Sequence, residues 1–266
     1  IEQGSVILKA GQRLRPQELG LAASVGLQEL KVMGMLRVAV FSTGDEVCDP
    51  SDQAPEGIIF DANRYSVMSM LEGMSCHVTD LGILPDDEEI IAVAIGGAAK
   101  DHHVIVTSGG VSAGEEDHVK GAVERHGSVD FWRLAIKPGR PIALGRIGDA
   151  AFIGLPGNPV AAMVTYMVIA RSVLLMLMGA SETAAPRYAV TADFDYQKKT
   201  GRREWLRAIL SETVGAGVSV KKFCSSGAGI LTSMVAADGL VELPEDIESV
   251  APGDVVQFLP FNEVSG

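Results

Sequence analysis

The amino-acid sequence predicts an α/β fold: a mainly parallel sheet with helices on both faces, followed by a small β domain. Three observations carry this. Between Arg37 and Met178, short apolar runs such as Val38-Ala-Val-Phe41 and His103-Val-Ile-Val-Thr107 alternate with segments of helical spacing. Strands buried on both faces read this way. The segments between the runs are long enough to hold helices, which implies crossovers between parallel strands. After Ala184-Ala-Pro186 the helical spacing stops, and short strand-like runs separated by turn residues take over.

Residues 1–36 read as a small strand–helix–strand unit. Residues 5–9 form a short strand, and residues 16–24 a helix with Pro16 in its first turn and Gly26 beyond its end. Such a unit buries little apolar surface by itself and must dock on something larger. Residues 37–180 form the α/β unit. Residues 38–41 are a strand, 61–74 a helix with Asp61 as N-cap, and 77–81 a strand. Residues 86–100 are a helix with an acidic first turn, and 103–107 a strand. A helix then ends near His126, and a strand covers 130–136. Lys137-Pro-Gly-Arg-Pro141 is a rigid turn. Residues 142–144 and 151–153 are strands joined at Gly148-Asp149, and Leu155-Pro-Gly-Asn-Pro159 opens a long apolar helix over 160–178. Thr165, Arg171 and Ser172 interrupt that helix, so it reads as buried in a core rather than as a membrane span. Residues 181–266 hold strand-like runs at 188–192, 203–210, 218–222, 239–243 and 255–259, which fit a sandwich or a barrel.

Bulk properties narrow the function. At 266 residues, about two domains are expected. The net charge of −12 speaks against nucleic acid and against an anionic membrane surface as partners. Cys48, Cys76 and Cys224 have neither zinc-site nor disulfide spacing and read as reduced thiols of a cytoplasmic protein. The chain opens at Ile1 without a basic-then-apolar leader, so the expectation is a fragment or processed form that is not exported.

In a parallel sheet, ligands bind at the carboxyl ends of the strands, and the candidate loops fall there. In Thr107-Ser-Gly-Gly-Val-Ser-Ala-Gly114 the glycines let the backbone approach an anion, and the next helix offers free N–H groups. The other reading is a Gly-rich turn without ligand, since neither a P-loop lysine nor a GxGxxG spacing is present. Lys137 and Arg140 put two cations on a stiff turn. Alternation brings Arg133 to the side of Lys137 if the strand runs through Ile136. Converging cations suit phosphate or molybdate; a solvated basic turn is the alternative. Asp45-Glu46, Asp61, Asp86-Asp87 and Glu115-Glu116-Asp117 are apt ligands for a hard cation beside substrate phosphates, or else caps and surface charge. The five histidines show no metal-ligand spacing.

Six loops in series carry a resemblance. They are Ser42-Thr-Gly-Asp-Glu46, Asp61-Ala-Asn-Arg64, Leu81-Gly-Ile-Leu-Pro-Asp-Asp87, Thr107-Ser-Gly-Gly-Val-Ser-Ala-Gly114, Ile136-Lys-Pro-Gly-Arg-Pro141 and Leu155-Pro-Gly-Asn-Pro159. In this order they resemble the molybdopterin molybdenumtransferases, the MoeA and gephyrin E-domain family. The resemblance implies a three-layer molybdopterin-binding domain followed by a small β-barrel. It also implies an enzyme that takes adenylylated molybdopterin and molybdate, hydrolyses the adenylate in a step dependent on Mg2+, and releases molybdenum cofactor and AMP. Glu46, Asp86 and Asp117 resemble the family's acidic active-site residues and supply its metal ligands. Gly109, Gly110 and Ser112 match its substrate-phosphate loop; Arg133, Lys137 and Arg140 match its basic positions, the two arginines standing where lysine is frequent. Pro156 and Pro159 match its proline turn, and Thr43, Gly44, Asp61, Ser108 and Gly139 complete the substrate-binding set.

The resemblance further implies an elongated homodimer with the active site between the central domain and the partner chain, supplied by an upstream molybdopterin adenylyltransferase. Relatives carry a long N-terminal portion of which residues 1–36 correspond only to the end. An N-terminally truncated chain is therefore expected, with a monomer or altered dimer and low activity among the consequences. Two other functions compete: a MogA-like adenylyltransferase, which shares the central fold but lacks the β domain and the Leu155-Pro-Gly-Asn-Pro159 turn, and a non-catalytic scaffold using the same pocket.

Overall fold

The computed structural model describes residues 1–111, 118–213, 217–224 and 227–265. The first half runs α1 (Pro16–Ser24), β1 (Arg37–Thr43), β2 (Val47–Cys48), β3 (Ile59–Phe60), α2 (Asn63–Gly73), β4 (His77–Leu84), α3 (Glu88–Ala98), β5 (Val104–Ser108) and α4 (His118–Glu124). It continues with β6 (Gly127–Arg133), β7 (Ile136–Lys137), β8 (Pro141–Ile147), β9 (Ala150–Leu155), α5 (Pro159–Thr165) and α6 (Arg171–Leu177). Then follow β10 (Tyr188–Ala192), β11 (Tyr196–Gln197), β12 (Arg203–Thr213), β13 (Gly217–Lys222), α7 (Thr232–Val235), β14 (Gly239–Leu243), β15 (Ser249–Val250) and β16 (Val255–Pro260).

The main sheet has the order β4-β1-β5-β9-β8-β6. Its first four strands are parallel, and β8 and β6 add antiparallel. The expected mainly parallel sheet is thus present, with an antiparallel edge. The pleat sorts the apolar runs onto two faces. Val38, Val40, Val104 and Val106 join α2 and α5 in one core, whereas Ala39, Phe41 and Ile105 join α3 and α4 in the other. From β1 the chain moves to β4 on one side and then returns to β5 on the other. That reversal leaves a crevice between the β1 and β5 loops, where α/β sheets bind ligands.

Five strands of the second sheet, β13-β10-β16-β14-β12, close on themselves through the β12–β13 pairing. The choice between sandwich and barrel therefore falls to a barrel. Val190, Leu206, Val220, Val241 and Phe258 fill it, and closure removes the exposed strand edges that invite aggregation. The two units are tied by β7, which pairs in parallel with β12 at Arg203↔Ile136 and Glu204↔Lys137.

Several expectations need correction. Residues 5–9 form no strand; a turn is closed there by Ser5 N bonding Glu2 O. The 36-residue segment is tied to the α/β unit by Ser181 N bonding Gly11 O and by Leu36, which is buried in the core beside α2. The strand expected over 130–136 ends at Arg133, and Ile136-Lys137 leaves the sheet for the barrel. Strand alternation thus does not align Arg133 with Lys137. The helical backbone of α2 already begins at Ala62, but the capping bond is made by Asp61 as expected, its Oδ1 accepting from Arg64 N at 3.1 Å, while of the two acids before α3 it is Asp87 that caps. The long apolar helix has a π turn, Tyr166–Ala170, between α5 and α6. By length and hydropathy alone Pro159–Leu177 would suffice to cross a membrane. In this fold Val160, Val164, Tyr166, Ala170 and Leu174 are buried in the core. The polar residues that interrupt it have partners: Thr165 bonds Gly139 O, and Arg171 and Ser172 bond Thr183 O.

Candidate active site

A cleft of about 800 Å3 opens at the carboxyl ends of β1 and β5. Of the predicted residues it gathers Thr43, Glu46, Asp61, Ser108, Gly110, Arg133, Lys137, Gly139, Arg140, Pro156 and Pro159. Gly44, Asp86 and Gly109 are not part of this lining, and Ser112 and Asp117 lie outside the described residues. A second groove, about 940 Å3, lies at the opposite pole and is lined by none of the predicted residues.

The glycine positions are dictated by space. Gly109 has φ +94°, and a Cβ there would sit 2.8 Å from Thr43 O. Gly110 has φ +62°, and a Cβ would meet Val119 Cγ2 at 2.4 Å. Only glycine lets the β5 loop pass this close to the β1 loop. Gly44, φ +136°, plays the same part on the other side, where the Glu46 carboxylate packs 3.0 Å from a Cβ built on it.

The acidic residues fall into two kinds. Asp61 is buried, and its oxygens accept from Arg64 N and Arg64 Nε, both at 3.1 Å. Arg64, also buried, reaches Asp49 and Asp80 as well. Burial alone would lower the guanidinium's affinity for its proton; the three carboxylates outweigh that and raise it. Asp61 therefore serves first to hold Arg64 and the start of α2. Glu46 and Asp86 are different: both are exposed. With Asp87 taking Ile90 N at 2.9 Å as the cap of α3, Asp86 is left to receive Thr43 Oγ1 at 3.4 Å. Asp86 thus reaches Thr43, while the Glu46 carboxylate packs beside Gly44. Among the described residues no group of three His, Cys, Asp or Glu converges as a metal cage. A pair of hard oxygen donors beside a phosphate site nonetheless fits Mg2+, which takes one or two carboxylates and completes its shell with water and substrate oxygens.

The cations converge by a route that alternation did not foresee. Arg133 ends β6 and pairs with Pro141 at the start of β8, and Leu134 N bonds Arg140 O at 2.7 Å. The hairpin therefore brings Arg133 and Arg140, both exposed, to one end of the sheet. Lys137 lies between them in sequence but is drawn towards the barrel. Its ammonium bonds Tyr196 Oη at 3.1 Å and Glu204 Oε2 at 3.2 Å. Burial would push its pKa down; the bonds to Tyr196 and Glu204 prevail and raise it. At neutral pH Lys137 is a fixed positive charge with little capacity to act as a base.

The proline turn shapes the opposite wall. Asn158 precedes α5, and Pro159 occupies its first turn. A polar clamp joins this wall to the β5 loop. Asn63 Nδ2 donates to Ser108 Oγ at 2.8 Å and to Gly157 O at 2.6 Å, and Ser108 Oγ donates to Pro156 O at 3.3 Å. Asn63, Ser42, Arg202 and Ala228 line the cleft without having been singled out from sequence. Asn63 belongs to a motif already noticed, Asp61-Ala-Asn-Arg64, so a signal for it existed. Arg202 and Ala228 come from the barrel side, and no local pattern marks them.

Comparison with known proteins places both units of the chain among known relatives. A family model described as a probable molybdopterin binding domain matches residues 39–175, and one described as the MoeA C-terminal region (domain IV) matches residues 189–261. The molybdopterin molybdenumtransferase of Haemophilus influenzae is 35% identical over all of this chain, which covers 66% of that protein. Molybdopterin molybdenumtransferase 2 of Mycobacterium tuberculosis is 33% identical over 97% of this chain, which covers 64% of it. The chain thus spans about two thirds of the length of these relatives. Two crystal structures of the molybdopterin biosynthesis MoeA protein of Pyrococcus horikoshii superpose with TM-scores of 0.78 and 0.80 at 29% and 25% identity, covering 96% and 98% of this chain and 61% and 63% of theirs.

Proposed function

The chain belongs to the MoeA family of molybdopterin molybdenumtransferases, and from that premise we propose that it inserts molybdate into adenylylated molybdopterin with release of AMP. The observation that carries this is the assembly of opposite charges in one cleft. Arg133 and Arg140 face it from one hairpin, Lys137 is held cationic at its barrel side, and Glu46 comes from the β1 loop, where Thr43 bonds Asp86.

The phosphoanhydride of the adenylate carries negative charge that grows on the leaving phosphate as the P–O bond breaks. Fixed cations placed at that point stabilise the transition state more than the ground state. Molybdate is a tetrahedral dianion and suits the same guanidinium groups, whose forks give two N–H donors to one oxyanion. The Gly109-Gly110 loop supplies close backbone approach, and the proline turn supplies a rigid opposite wall. Glu46 and Asp86 would hold Mg2+, with Asp117 as a further ligand. When bound, the metal supplies charge neutralisation on the bridging phosphates. On this reading an adenylyltransferase supplies the substrate, and the protein acts in the cytoplasm as a homodimer.

The test is AMP release from adenylylated molybdopterin, with and without molybdate and Mg2+. Release that needs both supports the reading. Adenylylation of molybdopterin from ATP would replace it with the adenylyltransferase alternative.

A further inference from the structure

The hydrogen bonds around Asn63 fix which end of its side chain faces a ligand. Gly157 O is a carbonyl and only accepts, so the group 2.6 Å from it is the amide nitrogen. Ser108 Oγ gives its one proton to Pro156 O, so towards Asn63 it accepts. Both hydrogens of the Asn63 amide are thereby consumed by protein, and the flip of the amide is determined by the network. The other end is the carbonyl oxygen. Among the described residues it accepts no hydrogen bond from protein, and it is not one of their buried unpartnered atoms, which are Ser42 Oγ, Thr107 Oγ1 and Trp205 Nε1. Asn63 lines the cleft and is half-buried. Its oxygen therefore stands as an accessible neutral acceptor in a cleft that Arg133, Arg140 and Arg202 also line.

We propose that Asn63 is a specificity-determining residue whose carbonyl oxygen accepts a hydrogen bond from the exocyclic amine of a nitrogen heterocycle. An oxyanion cannot fill this role, because a lone carbonyl oxygen repels it. The guanidinium groups take the anionic end of the ligand, and Asn63 reads its neutral, hydrogen-donating end. The clamp locks the side chain in this sense: turning the amide over would set its oxygen against Gly157 O. The inference rests on the function proposed above, whose substrate carries two such amines, one on the pterin and one on the adenine.

Two ligand pairs separate these sources. AMP and IMP differ in the purine amine, and pterin and lumazine differ in the pterin amine. Inorganic phosphate reports the anionic end alone. Titration calorimetry on the full chain should show a preference of about 3–10-fold for the amine-bearing member of one pair. Whichever pair shows it identifies the heterocycle that Asn63 reads. Asn63→Ala should abolish that preference, lowering affinity for the amine-bearing member by a larger factor than it lowers affinity for phosphate. Asn63→Ser, whose hydroxyl is tolerated at a helix start, serves the same comparison if the alanine variant does not fold. Ser108→Ala loosens the clamp but keeps the Asn63 carbonyl, so it should weaken both members of the pair alike. An unchanged preference in the Asn63 variants overturns the proposal while leaving the function intact. So does a parallel loss of heterocycle and phosphate binding, which would make Asn63 a loop-positioning residue only. Failure of the unaltered chain to bind any of the five probes overturns the function and this inference together.

Discussion

The Lys137 ammonium and the Glu204 carboxylate meet at 3.2 Å, across the junction between the α/β sheet and the barrel. The Lys137 side chain is 41% exposed and that of Glu204 only 2%. Tyr196 Oη bonds the same Glu204 oxygen at 2.7 Å, and its ring lies between Lys137 and Lys222. One cation of the candidate site is thus held in place by the barrel.

Removing that cation leaves a buried carboxylate with Tyr196 alone. Lys137→Ala should lower stability by about 1–2 kcal/mol, more than a surface pair and less than a fully buried one. Glu204→Gln keeps the hydrogen-bonding shape and should cost less. Urea unfolding of both variants measures this, and a larger loss in Glu204→Gln would contradict it. The pKa of folded Lys137 is raised, so the pair's contribution is complete at neutral pH. It should fade only as pH climbs past the ordinary lysine value of about 10.4 towards the raised one.

Arg64 presents the opposite balance, one buried cation against Asp49, Asp61 and Asp80. Arg64→Ala strands three carboxylates and should cost about 3–5 kcal/mol. Arg64→Lys should recover only part, since an ammonium cannot fork among them. Denaturant midpoints at unchanged slope would report this.

The same cluster sets an acid limb. Hydrogen bonds from the Ser51 backbone and hydroxyl, with Arg64 adding to them, hold the Asp49 carboxyl at about 2. Its folded value is depressed, so its contribution is complete above the unfolded value of about 3.9 and is lost as pH falls towards 2. The melting temperature of the unaltered protein should therefore drop more steeply between pH 4 and 2 than that of Asp49→Asn. Parallel curves would remove Asp49 from the acid response.

Gly109 tests the loop crossing directly. With φ +94° and Thr43 O at 2.8 Å from a Cβ, Gly109→Ala has no flexible side chain to push aside. It should cost on the order of 1–3 kcal/mol in strain and reduce phosphate affinity. Gly148→Ala has a positive φ but open space around its Cβ, so it should cost less and leave phosphate binding alone. Equal losses of affinity would refute the crossing as the cause.

The fold was legible where a pattern is local. The apolar runs that became β1 and β5, Pro16 at the start of α1 and the Leu155–Pro159 turn carry their signal within a few residues. Strand ends were harder. Phe131-Trp-Arg-Leu-Ala-Ile136 reads as one unbroken strand in sequence, yet pairing with Arg203 and Glu204 pulls Ile136-Lys137 into the barrel. The site was legible at glycines, prolines and charges. Asn63 escaped because its role depends on Ser108 and Gly157, 45 and 94 residues away. Arg202 escaped because only closure of the barrel brings it to the cleft.

Adjacent carboxylates in Pro85-Asp-Asp87 separate stability from activity. Asp87 caps α3 by accepting from Ile90 N at 2.9 Å, whereas Asp86 accepts only a long bond from Thr43. Loss of an N-cap costs about 1 kcal/mol, and exposed positions away from such a feature cost within about 0.5 kcal/mol. Asp87→Ala should therefore destabilise the protein by about 1 kcal/mol and retain most of its metal-dependent AMP release. Asp86→Asn should leave the unfolding midpoint in place and lose AMP release by at least tenfold at limiting Mg2+, with partial recovery as Mg2+ is raised. Spacing alone leaves Asp86 open between cap and metal ligand; if Asp86→Asn destabilises and Asp87→Ala does not, the capping reading applies to Asp86, and it ceases to be a candidate for the metal.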